Sequence, residues 1–149
     1  MNASSFFVAA ALVTGSLVPL QLAFNAQLGA VTKSPYTAGL IVFVIGAIAL
    51  SATVAAMRPP LPSLSSLASA PPTVWLGGLI TTGYILAIVI ITPKLGVGST
   101  TILILAGQIL VALVLDHLGA FGSPQHSLTL WRVSGAVLVV AGVVVIRTH

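Results

Sequence analysis

The chain has 149 residues, of which 58% are hydrophobic and only 4% charged, with a mean hydropathy of +1.20 and a formal net charge of +4. No water-soluble domain of this size carries so few charges. The five basic residues (Lys33, Arg58, Lys94, Arg132 and Arg147) are spread over helix ends rather than gathered in a patch. That spread excludes a nucleic-acid surface and suits anchoring at lipid headgroups.

A membrane-spanning helix needs about 20 mostly apolar residues, and five stretches meet this need in chain order: about 6–24, 36–57, 74–91, 100–115 and 128–146. Backbone groups in lipid must be satisfied internally, and no alternating ten-residue pattern points to a barrel, so all five are expected to be helices. The expected fold is an all-α membrane protein, a single five-helix transmembrane domain over residues 1–149. The N-terminus lacks a basic leader region, and the first stretch reads as a retained helix.

Helix 1 carries Thr14, Gln21 and Asn25 at spacings of seven and four, hence on one face. Such a stripe is costly against lipid and suits a bundle interior or a water-filled cavity. Pro19 cannot donate to the carbonyl of Gly15, so Gly15 and Pro19 are expected to mark a helix break at membrane depth. Gln21 and Asn25 read either as substrate lining or as hydrogen-bonding glue between helices.

The first connection, about residues 29–35, holds Lys33, and the second, Arg58 to Pro72, is Pro- and Ser-rich and reads as a linker lying at the interface. Helix 3 places Tyr84 away from the interfacial level where Trp75 and Trp131 sit, so its hydroxyl needs a partner. Helix 4 has Gln108, Ala112 and Asp116 at successive steps of four, and Asp116 is the one acidic residue of the chain. It reads either as a proton-coupling carboxylate or as a structural acid bonded to the Gly119–Gly122 turn or to a nearby arginine. Helix 5 offers Gly135 and Gly142 on one face as a candidate pairing surface.

Threading five helices puts Arg58, Asp116 and Arg132 on one side and Lys33, Lys94 and Arg147 on the other, two basic residues against three. Orientation follows a Lys/Arg excess on cytoplasmic loops, and an excess of one is nearly no signal. An odd helix count makes that productive, because two oppositely inserted copies build an inverted repeat.

There are no cysteines, and His117, His126 and His149 lack metal-ligand spacing, so neither metal nor cofactor is expected. With one acid and no nucleophile–base pair, an enzyme is not expected either.

Several motifs run along the chain: Gln21-x3-Asn25-x2-Leu28, Pro35-x2-Ala38, Trp75-Leu-Gly-Gly78, Pro93-x-Leu-Gly96 and Gly107-Gln108-x7-Asp116-x2-Gly119-x2-Gly122. Together they resemble the YdcZ-type five-helix branch of the drug/metabolite transporter superfamily. The resemblance implies a bacterial inner-membrane exporter of a small molecule that pairs with a second five-helix half, as homodimer or heterodimer. It departs from the small multidrug-resistance branch in having no acid in helix 1, and it names no substrate. From the residues, a substrate near mid-membrane would touch Thr14, Gln21, Asn25, Tyr84 and Gln108 and be neutral or zwitterionic. A dual-topology channel and a non-transporting accessory subunit are the alternatives.

Overall fold

The computed structural model describes residues 3–148, so His149 lies outside it. Among these residues there are helices and no strand. Five helices are long and apolar enough to cross a bilayer: α1 (Ala3–Thr32), α2 (Pro35–Met57), α4 (Leu76–Leu95), α5 (Val97–Leu118) and α6 (Leu130–Thr148). A short α3 (Leu64–Ala68) and two 3-10 turns, Pro72–Trp75 and Ala120–Gly122, lie in the connections. Large apolar side chains such as Phe7, Leu12, Ile48, Leu79 and Leu138 stand outward on these helices. Such a surface is untenable in water and ordinary in lipid, where tails are as apolar as leucine.

The helices outrun their apolar stretches. α1 continues past residue 24 through Gln27 to Thr32, whose hydroxyl donates to the Leu28 carbonyl at 2.9 Å. Lys33 then turns left-handed at φ 54°, and Ser34 starts α2 by accepting from the Thr37 N–H at 3.2 Å, with Pro35 in the first turn. The first connection is therefore Lys33–Ser34 rather than a seven-residue loop. Gly96 alone, at φ 81°, separates α4 from α5. In the interfacial linker, Ser63 caps α3 by accepting from the Ser66 N–H at 3.1 Å.

The break expected at Gly15 and Pro19 is corrected: α1 is helical through both residues. Pro19 removes one hydrogen bond, to the Gly15 carbonyl, without unwinding the turn. A transmembrane helix tolerates this where other groups or small local adjustments re-satisfy the freed carbonyl.

The chain forms two compact units. One contains α1 up to Pro19 together with the chain from Leu95 onward; the other runs from Leu20 to Lys94. In the second unit, Leu22, Ala38, Ile85, Ile88 and Val89 form the buried apolar core. Two glycines allow its helices to approach. A Cβ on Gly29 would stand 2.8 Å from Val89 Cγ1, and one on Gly39 would stand 2.9 Å from Leu86 Cδ2. In the first unit, α5 packs on α6 and on the turn that follows α5.

These contacts rank three substitutions. Val89 is buried and β-branched, with little freedom to move, so Gly29→Ala should cost about 1–3 kcal/mol through overpacking. Gly39→Ala should cost less, because the end of the Leu86 side chain can rotate. Gly46→Ala, which meets open space, should be near neutral. Unfolding titrations in mixed micelles measure the ranking, and Val89→Ala should rescue Gly29→Ala.

Candidate functional site

In the first unit, α1 and α5 line a partly open cavity of about 320 Å³. Its α1 wall is Ala11, Leu12, Gly15 and Val18; its α5 wall is Thr101, Ile104, Leu105 and Gln108. The spacings, at about three and four residues on both helices, put each set on one helical face. A Cβ at Gly15 would meet nothing within 4 Å, so the glycine leaves the space open. The Thr101 hydroxyl donates to the Val97 carbonyl at 2.7 Å and is thereby occupied. The polar side chain presented to the cavity is then the exposed carboxamide of Gln108, which can both donate and accept. Gly15, whose carbonyl receives no donor from Pro19, belongs to the α1 wall.

The other expected residues fare differently. Thr14 is exposed, does not line this cavity, and its hydroxyl donates to the Ala10 carbonyl at 2.8 Å. Gln21, Asn25 and Tyr84 belong to the second unit. There Gln21 is exposed, Tyr84 is half-buried and Asn25 is buried. The Asn25 Nδ2 has no hydrogen-bond partner. Thr92, not singled out from the sequence, is buried too, and its Oγ1 is also unpartnered. Its signal is the Thr92-Pro93 pair: Pro93 lies inside α4 and cannot donate to the Val89 carbonyl, so a hydroxyl and a carbonyl on adjacent turns both lack their usual bonds. Also in this unit, Gly29, Ala30, Pro35, Val89, Ile90 and Pro93 line a hollow of about 280 Å³.

At the end of α5 the chain folds back over the helix. Gly119, in the left-handed region at φ 58°, stops the helix, and a Cβ there would stand 3.3 Å from Gln125 Cβ. The Asp116 carbonyl accepts the His126 N–H at 2.8 Å, and the His117 carbonyl accepts Gln125 Nε2 at 3.0 Å. Arg132 Nη1 donates to Asp116 Oδ2 and to the His126 carbonyl, each at 3.4 Å. Asp116 thus meets an arginine, one of the two structural partners considered for it, and its backbone anchors the returning segment. Among the described residues, no three His, Asp or Glu side chains converge as metal ligands. Gly135 and Gly142 face open space, with nothing within 4 Å of a Cβ on either.

Five long apolar helices in a chain with a single acid define a multi-pass membrane protein. The comparison with family models gives the family. Residues 6–145 match the drug/metabolite transporter family model described as "Putative inner membrane exporter, YdcZ", and the chain belongs to that family. Neither the curated proteins nor the solved structures yielded a match.

The Asp116–Arg132 pair is about one-third exposed on each side, where such pairs contribute about 0.2–1 kcal/mol. A double-mutant cycle of Asp116→Asn and Arg132→Gln, read by thermal unfolding in detergent, should give a coupling in that range. Asp116→Asn should lower stability while leaving any response of transport to a pH gradient in place.

Proposed function

We propose that the chain is a secondary exporter of a small neutral or zwitterionic metabolite, working with a second five-helix half in the opposite orientation. The observation that carries the substrate class is the α1–α5 cavity: aliphatic walls, no charged side chain, and the Gln108 carboxamide as its polar group. A charged substrate entering such a space would lose its hydration without a compensating partner. A neutral hydroxyl, amide or carbonyl would find in Gln108 a group that can donate and accept. Asn25, in the other unit, has a buried Nδ2 without a protein partner and is proposed, apart from this cavity, as a polar contact for a ligand of its own unit; Gln21, Tyr84 and Thr14 are weaker candidates. An inner-membrane exporter has no need of a cofactor in this scheme, and its partners are lipid and the second half.

The inverted pairing rests on the odd number of spanning helices and the near-even split of basic residues. Gly135 and Gly142 on α6 are the proposed contact, homodimeric or heterodimeric, since open space beside small residues permits close helix approach.

A thermal-shift screen of uncharged and zwitterionic metabolites identifies the ligand, because a ligand bound only by the folded protein raises its stability by mass action. With that ligand, reconstituted liposomes should show saturable flux. Non-saturating flux would indicate a channel, and no flux an accessory subunit. Gln108→Leu and the cavity-filling Gly15→Leu should each lower flux about tenfold or more, through the loss of a hydrogen bond to substrate and of space, while both variants still assemble. Unchanged flux in both would refute the cavity as the substrate site.

Reporter fusions to the C-terminus should signal from both sides of the membrane when this chain is expressed alone. A single orientation together with a monomeric purified protein would overturn the inverted pair.

A further inference from the structure

We propose that His117 makes the α5–α6 corner a pH sensor, holding the start of α6 when neutral and releasing it when protonated. The geometry is specific about the tautomer. The Leu128 backbone N–H donates to His117 Nδ1 at 3.3 Å, and a ring nitrogen can accept only if it carries no proton. The imidazole in this corner is therefore neutral, with its proton on Nε2. Imidazoles are the side chains whose ordinary titration falls between pH 5 and 8.

On acidification a proton added to the ring goes to Nδ1, since Nε2 already carries one. The acceptor becomes a donor aimed at another donor, and the bond is lost. The bond is thus present while the ring is neutral and lost once it is protonated.

The charged and titratable groups around the ring are few. Asp116 precedes it on α5 and Arg132 faces from α6; these two pair with each other at 3.4 Å and cancel to first order. His126 lies in the connection, but its contacts in the corner are made by backbone atoms, its N–H to the Asp116 carbonyl and its carbonyl to Arg132. The His126 side chain therefore plays no part in the acceptor that Leu128 uses.

The bond matters because of what Leu128 does next. Its side chain lines an apolar groove of about 480 Å³ together with Leu110 and Leu113 of α5 and Val133 and Val137 of α6. Releasing its N–H frees the segment that seats it. The Gln125 and His126 bonds to the α5 carbonyls do not involve the ring, so the corner loosens at its α6 end and stays tied at its α5 end. This inference stands on the corner alone and does not depend on the substrate reading.

Hydrogen exchange of the backbone amides around Leu128, corrected for intrinsic rates and measured on the full chain in detergent at pH 8 and pH 5, tests it. The wild type should lose about tenfold protection on acidification, the change expected for one hydrogen bond. His117→Asn keeps an acceptor oxygen at the position of Nδ1 but cannot titrate, so it should stay protected at both pH values. His117→Ala should be unprotected at both. His126→Asn should respond like the wild type. The proposal is overturned if wild-type protection does not change with pH, if His117→Asn loses protection at pH 5, or if His126→Asn abolishes the response.

Discussion

Every backbone N–H and C=O within the hydrocarbon must find its partner inside the protein, and the rest of this structure follows from that requirement. It forces the described membrane-spanning segments into helices, and it makes each departure from the helical ladder a costly, local event. Two prolines lie inside spanning helices, Pro19 in α1 and Pro93 in α4. Each withholds one donor, from the carbonyls of Gly15 and Val89 respectively. Both positions adjoin the divisions between the two compact units, Pro19 directly and Pro93 two residues before Leu95. A missing rung lowers the local cost of bending a helix.

The same requirement bears on the two shortest connections. A loop crossing lipid would carry unsatisfied groups, so α1 and α2 are joined by Lys33 and Ser34, and α4 and α5 by Gly96. Each join uses one left-handed residue, Lys33 at φ 54° and Gly96 at φ 81°. The α5–α6 connection is longer but closes its own account: the last carbonyls of α5 are taken by His126, Gln125 and Gly119.

The five helices were legible because hydropathy reports the lipid-facing surface directly, and that surface is most of this protein. Their ends were not. Gln27, Thr32, Lys94 and His117 are polar residues that end an apolar stretch yet continue a helix, because the headgroup region tolerates both water and helical backbone. The Gly15–Pro19 break was read from the missing donor alone; that rule gives the lost bond correctly and not the response of the surrounding helix. Gln108 and Gly15 could be singled out as polar and flexible points, but their shared cavity depends on helix packing that spacing within one helix does not encode. Asp116 could be read as a coupling acid or as a structural one bonded to an arginine or a turn, whereas its pairing with Arg132 required the fold of the connection.

The hydroxyls show which polar groups are free to recognise anything. Thr14, Thr53, Thr81, Thr82, Thr100 and Thr101 each donate to the carbonyl four residues earlier, at 2.7–2.9 Å. A short side chain can fold back onto its own helix in this way and so enter lipid without a partner elsewhere. The price is that its proton is no longer available to a ligand. A carboxamide carries two N–H donors and a carbonyl, more than one such back-bond can satisfy. Asn25 and Gln108 therefore retain capacity where Thr14 does not, and the polar stripe read along α1 resolves into a hydroxyl satisfied by its own helix, an exposed carboxamide, Gln21, and a buried amide, Asn25, that still lacks a partner for its nitrogen.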